Sequence, residues 1–385
     1  MVNRLHHLYR DERGMSAIWV GAGFMAFLSA TTLAIDVGML MTARSQAQTS
    51  ADAGALAGAT ALVYDSFTDH SANGPAVQSA ITAAKSNKVI GSDVVVAPVD
   101  VEFLPDATGE LNRVKVTVYR NAAHGNPMPA LMGKFFGVPV LNVMATATAE
   151  AAPANAETCV KPFTIPDRWQ ENQDKAFDPV DSNFDVVDNK GKPLKKPDVY
   201  IRPDKPGATG WDANKDKGTK LILKANNQDK PAPSFYNPWD LPGSVGGNDY
   251  RDNIAGCNPA MIAAPTPLTP ENGNMVGPTK QGVDLLTAKD PNAWWDGNCK
   301  CVKGSAFGNH SPRIGIIPLY DPFVYATGKQ NGKTADLVAV NYMGFFIEKM
   351  QGNEVVGYIT PVTGLIDGGG PAPAASFIKA IRLIQ

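Results

Sequence analysis

The chain has 385 residues, 35 Lys+Arg against 37 Asp+Glu, a formal net charge of −2 and 44% hydrophobic residues, which is enough for two or three domains with their own cores. The balanced charge leaves no basic stripe for duplex nucleic acid, so no nucleic-acid partner is expected. Its 36 glycines and 30 prolines favour loops over a compact helical enzyme, and five His with four Cys thin the supply of metal ligands and acid–base groups.

Met15 to Ile35 (MSAIWVGAGFMAFLSATTLAI) is a run of 21 residues without a charge, which as a helix crosses a hydrocarbon core of roughly 30 Å. Arg4, Arg10 and Arg13 precede it, partly offset by Asp11 and Glu12, and Asp36 follows at once. The Lys/Arg bias places residues 1–14 in the cytoplasm and everything after Asp36 across the membrane. The run exceeds the core of a cleavable signal, and no small-residue cleavage site or turn interrupts the helical pattern after it, so a retained single-pass anchor in the lipid bilayer is expected.

Past Asp36 the sequence is Ala-rich and free of Pro, predicting one helix through residues 15–63. Ala43, Ala47, Ala51, Ala55 and Ala59 recur every four residues as a ridge of almost no bulk, and Asp36, Leu40, Arg44, Gln48 and Asp52 form a neighbouring row. Such a ridge admits close approach of another element, either within this protein or from a partner.

Residues 64–152 predict a small α/β unit: a helix over Pro75–Lys85, strands over Ser92–Phe103, Arg113–Arg120 and Val140–Glu150, and a short helix over Pro129–Phe136. Pro153–Glu157 is a linker. From Cys159 to Pro312, Pro and Gly interrupt nearly every run, so residues 157–385 read as a loop-rich, mainly β domain with one helix, Thr279–Ala288, in that stretch. Arg313–Tyr320, Leu337–Met350 and Glu354–Val362 are strands, the last two joined as a hairpin by Gln351-Gly352-Asn353. Gly368–Pro371 then releases a tail with apolar Phe377, Ile378, Ile381 and Ile384.

Chemistry-bearing patterns are sparse. Cys159, Cys257, Cys299 and Cys301 all follow the anchor, so disulfides are expected in a periplasmic setting. Cys299-Lys300-Cys301 is closely spaced, and each member is expected to pair with one of Cys159 and Cys257. Asp212, Asn214 and Asp216 alternate as in a calcium loop, but Lys217 replaces the turn Gly and Leu223 the bidentate Glu, so a solvated turn is the better reading. Trp211, Trp239, Trp294, Trp295 and Tyr250 read as core of a thin sandwich before they read as a sugar-stacking surface. There is no Gly-x-Ser-x-Gly elbow, His-Glu-x-x-His, Walker loop or Gly-x-Gly-x-x-Gly fingerprint. His310 is the last histidine, in a turn. No catalytic residue, metal site or cofactor is implied.

Asp36-Val37-Gly38, Arg44, Gln46, Gln48 and Ala51-Asp52-Ala53-Gly54-Ala55-Leu56-Ala57-Gly58-Ala59, set behind Arg13-Gly14 and an apolar span, resemble the N-terminal module of the Flp (Tad) pilus-assembly TadE/TadG-like proteins. The resemblance covers about the first sixty residues. It marks Asp36, Gly38, Arg44, Gln48, Asp52, Ala55, Leu56 and Gly58 as the assembly motif, and other Flp/Tad proteins as partners. Gly273–Thr279 and Ser311–Tyr358 are faintly similar to the extracytoplasmic part of some relatives; the Asp-x-Ser-x-Ser run of those that carry a von Willebrand type A domain is not found. Gly14-Met15 lies where type IV pilins are cut, but cleavage there puts Trp19 at the position of the usual pilin Glu, which argues against a major pilin.

Together these readings describe an α+β protein: a long transmembrane helix laid on a small pilin-like α/β unit, then the loop-rich β domain. The expected function is a non-enzymatic, single-pass protein of the bacterial inner membrane acting in Flp/Tad pilus assembly or adhesion. The alternative is a membrane-tethered periplasmic module binding glycan or calcium.

Overall fold

The computed structural model describes residues 13–172, 175–188, 192–226, 230–330, 336–368 and 372–384. The expected cytoplasmic charges Arg4, Arg10, Asp11 and Glu12 lie outside the described residues. The fold is mixed α+β. Helix α1 runs Arg13–Tyr64, 52 residues, and is the one helix among the described residues long and apolar enough to cross a membrane. Ser29, Thr31, Thr42 and Thr49 satisfy their hydroxyls on carbonyls one turn back, at 2.8–3.1 Å, so these polar side chains leave the helix unbroken.

Contacts divide the chain into two compact units. Of the described residues, the first comprises 13–58, 71–149 and 383–384. Helix α2, Pro75–Ser86, starts on the expected early Pro and buries Ala76, Val77, Ala80 and Ala84. Strands β1 (Val101–Leu104) and β2 (Arg113–Arg120) pair antiparallel, Val101 opposite Val116 and Leu104 opposite Arg113. Strand β3 is Val143–Pro153. Along β2 the alternation is strict, with Val114, Val116 and Val118 buried. The expected long strand from Ser92 is mostly irregular, touching β2 through a single bridge of Val95 with Tyr119 before a 3₁₀ turn at Pro98–Asp100. The expected helix Pro129–Phe136 is instead a two-residue ladder, Met128–Pro129 with Val140–Leu141, and a 3₁₀ turn at Gly133–Phe136. Gly133 and Gly137 shorten any helical run there.

The second unit comprises Ala59–His70 and Glu150–Arg382. Apart from a two-residue ladder of Ala156–Glu157 with Ile262–Ala263 and the final strand, its strands are β4 (Phe163–Pro166), β5 (Lys220–Ala225), β6 (Phe235–Asp240), β7 (Thr266–Pro270), β8 (Trp294–Asp296), β9 (Cys301–Lys303), β10 (Ile314–Tyr320), β11 (Leu337–Gln351) and β12 (Glu354–Thr360). The order β11-β10-β4-β6-β5-β12 returns to β11 and closes a six-stranded barrel, with β7 paired to both β11 and β6. Two pairings are parallel: Leu319 of β10 opposite Ile165 of β4, and Lys224 of β5 opposite Phe235 of β6. The aromatic core therefore fills a closed barrel and not a thin sandwich. Phe163, Leu221, Tyr236, Trp239, Leu319 and Phe345 lie in it. The β11–β12 hairpin turns at Gly352 as expected, with φ 63°. Gly357 of β12 lies so close to the Phe345 ring and the Phe346 carbonyl that no Cβ fits.

Helices α3 (Gly246–Ala255) and α4 (Val276–Thr287) pack together and bury Tyr250, Ile254, Val283 and Leu286. Helix α4 matches the expected one. Helix α3 departs from the expected loop, which its two leading glycines suggest. Helix α5 is Pro322–Gln330. The final strand, β13, is Lys379–Ile384.

Candidate assembly surface

The four-residue Ala ridge is buried: Ala43, Ala47, Ala51, Ala55 and Ala59 are at most 1% exposed. Its neighbours in the first unit are α2 and β2. A methyl at Gly58 would come within 2.8 Å of Val114 Cγ1, and one at Gly54 within 3.1 Å of the Ala84 methyl and the Ala80 carbonyl. Ser50 Oγ donates to the Ala84 carbonyl at 2.8 Å, and Gln46 Oε1 accepts the Ile90 N–H at 2.7 Å. The ridge is thus an internal seam, where absent bulk lets helix backbone approach helix and sheet.

The neighbouring row divides by position. Asp36 is 8% exposed. Its carboxylate accepts the backbone N–H of Leu131 at 3.0 Å, of Met132 at 3.3 Å and of Gly133 at 2.6 Å, so it caps the 3₁₀ turn as an N-terminal acidic group does. Gly38 has open space where a Cβ would stand. Arg44 is exposed. Gln48 donates to Asp52 at 2.8 Å and to the Thr146 carbonyl of β3 at 3.3 Å. Leu56 is half-buried.

Residues 14–61 match the family model described as "Putative Flp pilus-assembly TadE/G-like". This stretch is similar to the TadE/G-like family. No curated protein and no solved structure matches the chain. The TadE/G-like match ends at the close of α1 and includes none of the barrel strands.

In that unit the bridges are Cys159–Cys257 and Cys299–Cys301, correcting the expected cross-pairing. The β8–β9 hairpin sets Asp296 opposite Cys301, and Lys300 takes a left-handed φ of 49°, which folds the two close cysteines together. Cys159 is held beside Cys257 by its N–H on the Asn258 carbonyl at 3.0 Å.

The Asp212–Asp216 loop is an Asx turn. Asp212 accepts the N–H groups of Asn214 at 2.8 Å and Lys215 at 3.1 Å, while Asp216 accepts the Asp212 N–H at 2.8 Å and pairs with Arg168. Among the described residues no cluster of three or more His, Cys, Asp or Glu is set to hold a metal ion. Trp211, Trp239, Tyr250 and Trp295 are buried; Trp295 stacks on Tyr358 at 5.2 Å, and Trp294 is exposed.

A cleft of about 400 Å³ is lined by Tyr64, Lys161, Lys289, His310 and the Cys159–Cys257 bridge. Lys161 donates to the carbonyls of Ile254 at 2.8 Å and Gly256 at 3.0 Å, and Lys289 donates to that of Ala255. Both ammonium groups thus serve the C-terminal carbonyls of α3. Burial, with Lys289 nearby, pushes Lys161 down to about 8.

Two buried carboxyls carry no signal in the local sequence. Asp167 is fully buried and pushed up to about 6 by desolvation, although Trp211 N–H, Arg168 N–H and the Tyr200 hydroxyl all donate to it. Glu157 is pushed up to about 7 by burial, against one N–H from Thr158. Neither stands in a motif; each acquires its setting from pairings of distant segments.

Proposed function

We propose that the protein is a non-enzymatic, single-pass envelope component of Flp/Tad pilus assembly, anchored in the bacterial inner membrane by Met15 to Ile35. Residues 1–14 form the cytoplasmic tail, 15–63 the membrane helix and its extension, 64–152 a pilin-like α/β unit, and 157–385 the periplasmic or surface-exposed β domain. The observation that carries this reading is the TadE/G-like match at residues 14–61 on a helix whose apolar first half is exposed, with Trp19 at 73% and Met25 at 72%. The two disulfides fit an oxidising compartment.

Within the motif, Ala55, Gly54 and Gly58 hold the unit together, while Arg44, Gln48 and the half-buried Asp52 form the polar row available to other Flp/Tad proteins. A tethered calcium or glycan module is less well supported: Asp212 and Asp216 are engaged by backbone N–H groups and Arg168, and four of the five named aromatics are buried. Deleting the gene and counting surface pili tests the proposal. Loss of pili restored by the wild-type chain supports it; unchanged piliation with the rest of the machine intact overturns it.

A further inference from the structure

The 3₁₀ turn capped by Asp36 exposes an unusual amount of apolar surface. Leu131 is 53% exposed, Phe135 71%, Phe136 59% and Val138 50%. A groove of about 320 Å³ runs between this loop and α1, lined by Ser29, Val37, Leu40, Phe136, Val138 and Leu141. From Ser29 to Asp36 the helix rises about 10 Å, so the loop flanks the last two turns of the apolar span. Depths of 5–10 Å below the headgroups are those that interfacial elements reach.

We propose that residues Leu131–Val138 insert into the same leaflet as the end of the anchor, as a second, interfacial membrane contact whose ligand is the acyl-chain region of the bilayer. This rests on the anchor reading above. Three observations favour lipid over a protein occupant.

The loop is continuous with the span, being fastened to the residue that ends it. Its backbone is also prepared for a water-poor setting. The N–H groups of Leu131, Met132 and Gly133 are taken by Asp36, that of Phe135 by the Met132 carbonyl at 3.0 Å, that of Gly137 by the Gly133 carbonyl, and that of Val138 by the same carbonyl at 2.9 Å. An irregular segment tolerates hydrocarbon only when its donors are satisfied internally. Finally, the loop's single charged side chain is the exposed Lys134, 5.3 Å over the Phe135 ring. A long cation on an apolar loop reaches back to anionic headgroups while its stem stays in the apolar layer.

The test uses the full chain in phosphatidylethanolamine/phosphatidylglycerol vesicles, with single introduced cysteines carrying an environment-sensitive fluorophore. Native thiols are all bridged, so the introduced one reacts. Labels go at Phe135→Cys and Val138→Cys in the loop, at Phe24→Cys in the span, and at Ala107→Cys, an exposed position in the β1–β2 turn at the other end of β2. Doxyl-labelled lipid is the membrane quencher and iodide the aqueous one. About twofold quenching by doxyl lipid at 24, 135 and 138 but not at 107 is expected. Quenching at 24 without quenching at 135 and 138 overturns the loop insertion and leaves the anchor standing. Shielding of 135 and 138 from iodide without doxyl quenching assigns the loop to a protein surface, of this chain or of a second copy, and overturns it equally. Absence of quenching at 24 removes the anchor, and the proposal with it.

Discussion

The carboxylate of Asp36 accepts the backbone N–H of Gly133 at 2.6 Å, joining two residues 97 positions apart. Asp36→Ala strips that acceptor from three N–H groups at once. With Asp36 8% exposed, the expected cost is about 2–3 kcal/mol. Asp36→Asn keeps one acceptor oxygen and should lose about half as much. Hydrogen exchange of the full chain in detergent reads this directly. The Leu131, Met132 and Gly133 amides should lose protection in Asp36→Ala while the α2 amides keep theirs; unchanged exchange at those three refutes the cap.

The seam between α1, α2 and β2 makes a contrast between two glycines of one motif. Gly58→Val drives a branched side chain into Val114 Cγ1, which already stands 2.8 Å from where the first side-chain carbon would lie, and should destabilise by about 1–3 kcal/mol. Gly38→Ala meets open space and replaces a poor helix former, so it should be neutral or stabilising by up to about 1 kcal/mol. Denaturant titration of both variants checks the order; equal effects would deny the close approach at Gly58.

Local features of this protein are legible in its residues, and long-range ones are not. The Ala ridge, the Pro-initiated α2, the alternating β2 and the Gly352 hairpin all depend on neighbours within a few positions, so their spacing announces them. The ridge does not announce its partner, because absent bulk accepts any surface. Asp36 is marked by the family motif, but the local pattern of its partner turn suggests a helix over Pro129–Phe136. The barrel is hidden for the same reason: closure depends on β4 meeting β10 in parallel and β5 meeting β12 antiparallel, pairings across 130 residues or more that no local pattern encodes. Glu157 and Asp167 become buried through such pairings, with no motif around them.

The two bridges should differ sharply in worth. Cys159–Cys257 spans a sequence separation of 98, whereas Cys299–Cys301 spans 2. Constraint of the unfolded chain grows with loop length, so the Cys159→Ser/Cys257→Ser double variant should cost about 2–5 kcal/mol and Cys299→Ser/Cys301→Ser well under half of that. Non-reducing peptide mapping with thermal unfolding measures both. A peptide linking Cys159 or Cys257 to Cys299 or Cys301 would restore the cross-pairing expected from spacing.

Glu157 gives the barrel unit a pH dependence of definite sign. It is 7% exposed, with Oε2 unpartnered among the described residues, and burial holds its pKa at about 7, above the ordinary carboxyl value. Between the ordinary value and about 7, the folded chain therefore keeps a proton that the unfolded chain has released. Stability from this group is fully present below the unfolded pKa and is lost as pH rises through the folded one, and Asp167, at about 6, adds in the same direction. Lys161 works oppositely: with its pKa lowered to about 8, it makes stability rise between about pH 8 and its ordinary value. Glu157→Gln removes the ionisation and should gain about 1–3 kcal/mol over wild type at pH 8, and almost nothing at pH 4. Thermal unfolding of both proteins across that range measures it; a gain that is the same at both pH values would show that Glu157 titrates normally in the folded chain.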